Sequence, residues 1–263
     1  MSAKYETFRM TWKEIKEATD KDPVVLIPLG STEQQGPHTP TGDYRAAQAV
    51  AAAVAKRTGS LTIPTLPFGY SEYFRKFPGT ITLSAETVLS VLLDIVESLH
   101  ENGFNHILFC NGHGGNTPVV DRAARIIRRE YGLLVPSLNL WNLITPDVKK
   151  EIYGDKDLSG HGGEPLTSML MYLEPDDMRM DLLKETGRNE TFRKVKIKGL
   201  NKGEIDGIEG FFYFDMDDIS SDGVTIVLDT ASAERGKLLF DKVVDKASTF
   251  VNGFKKINTL AAE

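Results

Sequence analysis

An α/β fold whose strands are buried on both faces is what this sequence predicts, and three observations predict it. Short apolar runs without charge, residues 24–29 and 105–110 among them, alternate with stretches of helical periodicity. These runs show no alternation of polar and apolar residues, as expected of strands covered on both sides. Each run stops at a glycine-rich polar loop with a helix behind it, so the loops fall at the carboxyl ends of strands, where open α/β sheets place ligands.

Taken in order, residues 11–18 predict a short amphipathic helix behind Thr11 as cap, and residues 24–29 the first buried strand. Residues 30–43 carry too many glycines and prolines for a helix and form an irregular loop. The alanine-rich stretch 46–55 is the next helix, closed by Gly59. A second strand is expected over 61–66, followed by a long aromatic loop over 67–80. Ser84 caps a helix whose apolar face runs from Val88 to Leu99, and Gly103 ends it. Residues 105–110 form a strand, 118–131 a helix and 133–141 a further strand ending in Trp141, which either walls a pocket or fills the core. A glycine loop over 159–168 leads into a helix over 169–173, with Pro165 at the first helical position. Beyond Pro175 the signal weakens: the basic run 193–198 reads as the solvent face of a strand, and 210–215 and 224–228 as strands. Thr230 or Ser232 opens a last helix through Val251. With no repeat, low-complexity tract or linker, residues 1–263 read as one domain.

Composition narrows the function. At 41% hydrophobic and 26% charged residues the chain has ample material for a core, and its formal net charge of −6 argues against a nucleic-acid or anionic-membrane surface. A lone cysteine, Cys110, excludes an intrachain disulfide framework and a cysteine-based zinc site, and a reducing, cytoplasmic setting is expected. No run approaches the roughly 20 apolar residues of a membrane span, and the first residues lack the apolar segment of a signal peptide.

The chemistry-bearing residues collect in three strand-end loops: Glu33, Gln35, His38 and Asp43 in the first, His113 with Gly114 and Gly115 in the second, His161 and Glu164 in the third. Asp43 is either a ligand or the N-cap of the alanine-rich helix, and Glu164 either a ligand or a helix-start carboxylate favoured by the dipole. Gly114 and Gly115 allow close backbone approach to whatever His113 touches. A set of carboxylate and imidazole groups without thiolate suits zinc, manganese or ferrous iron. An aspartate between two ions could bridge them, and ions so placed activate water and polarise a carbonyl. A histidine beside them can carry a proton to a leaving nitrogen, because its pKa lies near neutrality.

Residues 30–38 (Gly-Ser-Thr-Glu-Gln-Gln-Gly-Pro-His), Phe77-Pro78-Gly79-Thr80, 111–116 (Asn-Gly-His-Gly-Gly-Asn) and the loop from His161 to Glu164 together resemble the creatininase family of metal-dependent amidohydrolases. The resemblance keeps the same order from Trp12 to the last helix. It implies a three-layer α/β/α fold with a mostly parallel central sheet, a dinuclear zinc or manganese centre, and a homo-oligomer, often a hexamer. Members hydrolyse the cyclic amide of creatinine, formamides of pyrimidine nucleotides, or a peptide bond in maturation of a peptide-derived cofactor. By position, Glu33, Asp43 and His113 match metal ligands with the aspartate as bridge, Glu164 matches a further ligand, and His161 the proton-handling histidine. Trp141 matches a tryptophan that packs on substrate, in a pocket to which Gly114, Gly115 and Phe74 also belong.

Departures from the family pattern are as informative. Gln35 stands where a histidine usually binds the second metal, and is a poor zinc ligand, with His38 the nearest substitute. The spacing from Glu33 to Asp43 is one residue shorter than usual. Phe74 replaces a frequent histidine and Leu166 a frequent glutamate, which removes two polar groups from the pocket. The expected function is metal-dependent hydrolysis of a non-peptide C–N bond in a small cyclic amide or formamide. A single-metal variant with different chemistry and a non-catalytic metal- or ligand-binding protein are the rivals.

Overall fold

The structure, a computed structural model, describes residues 4–154, 160–183, 188–226 and 231–260. Its elements in order are α1 (Trp12–Thr19), β1 (Val25–Leu29), α2 (Tyr44–Thr58), β2 (Leu61–Thr62), α3 (Ala85–Glu101), β3 (Ile107–Asn111), α4 (Thr117–Tyr131), β4 (Ser137–Asn139), α5 (Pro146–Tyr153) and α6 (Leu166–Leu173). There follow β5 (Thr191–Phe192), β6 (Val195–Gly199), β7 (Lys202–Ile205), β8 (Ile208–Phe211), the single turn α7 (Met216–Ile219) and α8 (Ala233–Phe254). The strands β2-β1-β3-β4 form a wholly parallel sheet in that order.

Burial alternates along the central strands even though every residue of β1 and β3 is buried. Val25, Ile27 and Leu29 with Ile107 and Phe109 pack against Val88, Leu92 and Val96 of α3 and Val120, Ala123 and Ile127 of α4. Leu26, Leu108 and Cys110 pack on the other side against Ala47, Val50 and Val54 of α2 and Leu239, Val243 and Val251 of α8. This is the three-layer α/β/α arrangement, and it explains why both strands read as uninterrupted apolar runs.

The capping signals hold. The Thr11, Ser84 and Ser232 side chains accept from the third residue of α1, α3 and α8, at Glu14, Thr87 and Arg235. Gly59 closes α2 in the left-handed region with φ 67°.

Several expectations need correction. Only residues 61–62 of the second predicted strand and 137–139 of the stretch 133–141 are strand; the chain turns into a short 3₁₀ helix from Leu140. The helix α5, with Pro146 in its first turn, was not anticipated. Pro165 sits at the N-cap of α6 rather than inside it, and the helix starts at Leu166. Of a second, antiparallel sheet, β5-β6-β7-β8, only two strands are expected from the sequence, one within 193–198 and one over 210–215. The strand expected over 210–215 is shifted back to β8. Of the strand expected over 224–228, residues 224–226 are not strand, and the remainder, with Thr230, lies outside the described residues, as does Ser159. The small sheet is held to the aromatic loop by a core of Phe74, Ile197, Phe214 and Met216, and by the Arg75 guanidinium, which donates to both oxygens of Asp215 at 2.8 Å.

Candidate metal centre

Register places the ligands. Leu29 at the end of β1 pairs with Asn111 at the end of β3, so the loops bearing Glu33 and His113 leave the sheet side by side. Asp43 returns to the same place at the start of α2. It occupies the N-cap position, yet its side chain makes no capping bond. Instead Oδ1 accepts from the Ser31 backbone N–H at 2.7 Å and Oδ2 lies 2.8 Å from His113 Nδ1. Glu33 Oε2 is 3.5 Å from the same nitrogen. Glu33, Asp43 and His113 are 2%, 4% and 2% exposed and form the one group of candidate metal donors among the described residues, their ligand atoms within 4.8 Å of one another.

Neighbouring groups orient these donors. The Tyr70 carbonyl, which can only accept, lies 2.9 Å from His113 Nε2. Nε2–H therefore donates to it, which leaves Nδ1 as the nitrogen turned to the two carboxylates and, on metal binding, as the ligand atom; a carbonyl behind a metal-binding imidazole orients the ring in this way. Ser71 Oγ lies 2.5 Å from Glu33 Oε2, 2.6 Å from Ser31 Oγ and 3.1 Å from His113 Nε2. Asn111 holds the His113 backbone, accepting from its N–H at 3.1 Å and donating to its carbonyl at 2.7 Å. Asn116 ties two loops together, donating to the Gly30 carbonyl at 3.1 Å and accepting from the Tyr70 N–H at 2.9 Å. Gly115 is required by close approach: a Cβ there would stand 2.2 Å from the Tyr70 carbonyl and 2.5 Å from both His113 Nε2 and the Tyr73 hydroxyl.

Electrostatics fit a cation. Burial raises the Glu33 carboxyl well above the usual carboxylate range, the Asp43 charge adding to this and His113 opposing it. Burial alone would lower His113, but Glu33 and Asp43 together hold its protonated form well above the ordinary histidine range. Two carboxylates buried this closely call for positive charge between them.

The other predicted residues are placed as follows. His161 Nε2 lies 2.8 Å from the Gln34 backbone carbonyl and 2.9 Å from the Gln34 side-chain nitrogen, and Nδ1 lies 4.0 Å from Glu33 Oε1. Burial pushes His161 down to about 3, so the ring is neutral at pH 7, and Phe74 stacks on it. Gln35 donates from Nε2 to Glu33 Oε1 at 2.8 Å. His38 does not join the donor group: its Nε2 lies 3.2 Å from Thr167 Oγ1 and its Nδ1 has no partner. Glu164 does not join it either, its carboxylate accepting from Ser168 Oγ at 2.5 Å and Tyr153 Oη at 3.2 Å. Spacing along the chain says nothing of these two side chains' directions. Trp141 packs on the core and donates from Nε1 to the Gly112 carbonyl at 2.5 Å. Gly114 and Gly115 line a cleft of about 580 Å³ with Tyr70, Tyr73, Asn201 and Tyr213. Ser71, Ser31 and Tyr73 escaped sequence reasoning, since a serine or tyrosine in a loop carries no signal of its own; Asn111, opening the Asn-Gly-His turn, did carry one.

A parallel sheet with two buried carboxylates and an imidazole at adjacent strand ends defines an α/β protein with a candidate hydrolytic metal centre. The chain belongs to the creatininase family, whose sequence profile, described as creatinine amidohydrolase, matches residues 9–251. It is a creatininase-family hydrolase. It is 30% identical over 233 residues to a mycofactocin precursor peptide peptidase of Mycobacterium ulcerans (strain Agy99), covering 85% of this chain and 82% of that one. It is 30% identical over 191 residues to the creatinine amidohydrolase of Pseudomonas putida, with 65% and 73% covered. A 3-dehydro-scyllo-inosose hydrolase of Thermotoga maritima (strain ATCC 43589 / DSM 3109 / JCM 10099 / NBRC 100826 / MSB8) is 29% identical over 184 residues, with 67% and 58% covered. Among solved structures, a mutant creatininase of Zn-Zn type and a manganese creatininase both superpose with a TM-score of 0.80, at 26% and 25% identity, over 97% of this chain and 100% of theirs.

Proposed function

We propose that this protein is a metal-dependent hydrolase of a non-peptide C–N bond in a small cyclic amide or formamide. The observation that carries the reading is the convergence of Glu33, Asp43 and His113 Nδ1 from two adjacent strand ends, with the neutral His161 beside them. These residues would hold zinc or manganese, the metals of the similar creatininase structures, with ferrous iron also compatible with the donor set. The ion, when bound, acidifies water and polarises the carbonyl under attack.

The chain's own residues supply the rest. His161, held at Nε2 by Gln34, turns Nδ1 toward Glu33 and would carry the proton to the departing nitrogen. Ser71 and the Tyr70 carbonyl keep Glu33 and His113 turned toward one point. The cleft of about 580 Å³ walled by Gly114 and Gly115, the residues that follow His113, falls in the size range of small-molecule sites.

A panel of cyclic amides, formamides and short peptides, assayed with zinc- and manganese-loaded protein beside His113→Ala, tests this. Hydrolysis of a cyclic amide or formamide, lost in His113→Ala, is expected. Turnover of peptides alone, or full activity in a folded His113→Ala protein, would overturn it. Assembly into a homo-oligomer, a hexamer as in the family resemblance, belongs to the same proposal. The exposed Ile208, Phe211 and Tyr213, at 75%, 70% and 88%, support it, and native mass measures it. No helix among the described residues is long and apolar enough to cross a membrane.

A further inference from the structure

The side chains that a second ion would need are engaged elsewhere. Glu33 has one oxygen on each side: Oε2 takes the Ser71 hydroxyl and faces His113, whereas Oε1 takes the Gln35 amide at 2.8 Å. An amide N–H directed at a carboxylate oxygen supplies a donor there, and the amide nitrogen has no lone pair to offer a metal. Asp43 Oδ1 takes the Ser31 N–H at 2.7 Å, and Oδ2 is the oxygen that lies against His113. Glu164 accepts from Ser168 and Tyr153, and His38 is turned toward Thr167, with its Nε2 3.2 Å from Oγ1, outside the group of donors. Phe74, which stands where the family resemblance has a frequent histidine, stacks against His161 with ring centroids 4.1 Å apart and offers no donor atom to an ion.

We propose that this centre takes a single divalent ion, held by Glu33 Oε2, Asp43 Oδ2 and His113 Nδ1, and that the Gln35 amide stands in for a second. The inference rests on the metal-centre reading above. It assigns Gln35 a positioning part: its N–H holds Glu33 so that Oε2 turns to the occupied side. With one ion, activation of water falls to that ion and the protein's own groups, His161 among them, rather than to a pair of ions.

The test is a count of metal with a spectroscopic check. Full-length protein equilibrated with excess Zn²⁺ or Mn²⁺ and freed of loose metal should carry one ion per chain by elemental analysis. The Mn²⁺ form should give the electron paramagnetic resonance spectrum of isolated ions, without the exchange coupling expected of two ions about 3.5–4 Å apart. Gln35→His, which replaces the amide by a metal-binding imidazole, should raise the count toward two and bring in the coupled spectrum. Two ions per chain with coupling in the wild type would overturn the single-ion inference and leave the metal centre standing. No tightly held ion would overturn both. A folded Gln35→His protein that still takes one ion would overturn the part assigned to Gln35. Should that variant not fold, the wild-type count and spectrum decide the number of ions by themselves.

Discussion

The ring of Phe74 lies on the ring of His161, with centroids 4.1 Å apart and planes inclined by 26°. Phe74 is 1% exposed and also anchors the small antiparallel sheet through Phe214 and Ile197. One aromatic side chain therefore holds both His161, the histidine proposed to handle the proton, and the second sheet. Phe74→Ala should cost about 3–5 kcal/mol of stability, as buried phenylalanines do. It should lower kcat at least tenfold with little change in KM, since the histidine loses its orientation and not its chemistry; chemical denaturation and steady-state kinetics check the two parts separately.

Ser71→Ala leaves Glu33 Oε2 without its hydroxyl and the Ser31 hydroxyl without a partner. Groups of this kind behind metal ligands change affinity about 10–100-fold. Isothermal titration with Zn²⁺ should show a loss of that size with one binding step retained.

Gly115→Ala puts a methyl group 2.2 Å from the Tyr70 carbonyl, the acceptor that sets the His113 tautomer. Metal affinity should drop at least tenfold while circular dichroism stays that of the wild type, because the displaced atoms belong to loops and not to the packed helices. Gly114→Ala, whose Cβ meets nothing within 4 Å, should leave affinity unchanged.

His38 is wholly buried, and burial lowers its pKa from 6.5 to about 4, with Asp222 opposing the shift. Above pH 6.5 neither the folded nor the unfolded chain protonates it. As pH falls, the unfolded chain takes up a proton that the folded one refuses, so stability declines between pH 6.5 and about 4. The loss is at most about 3 kcal/mol. Urea denaturation of wild type and His38→Gln across this window should show a shallower decline in the variant, and parallel curves would refute the account.

Chelation should lower the melting temperature. Glu33 and Asp43 are buried around a point that favours positive charge, so an ion bound only by the folded state adds to stability by mass action. Thermal melts with and without a strong chelator, then with Zn²⁺ restored, measure the effect and its reversal.

Much of this was written in the sequence, for reasons that can be named. Glu33, Asp43 and His113 stood out because each follows a buried strand or opens a helix, where polar side chains converge. The bland alternative for Asp43, a helix cap, fell only when its oxygens were seen to face Ser31 and His113. For Glu164 the structure favours the helix-start role, through Ser168 in the first turn of α6. The sheet β5–β8 was hard to read because its strands run two to five residues and β8 is exposed throughout, so no burial pattern marks them. Ser71 was illegible in principle, since its role depends on a fold that carries it to residues 31 and 113.

The candidate metal donors and the groups directly behind them all come from residues 31–113, whereas β5–β8 and the 213–215 stretch that lines the cleft belong to a later part of the chain. The junction between them is a handful of side chains, chiefly Phe74 and the Arg75–Asp215 pair. Inheritance can therefore alter the wall and leave the ion's cradle intact. Such a division lets one scaffold be re-aimed at new molecules by exchanging a peripheral hairpin, and it marks residues 188–220 as the segment to transplant when a different specificity is wanted.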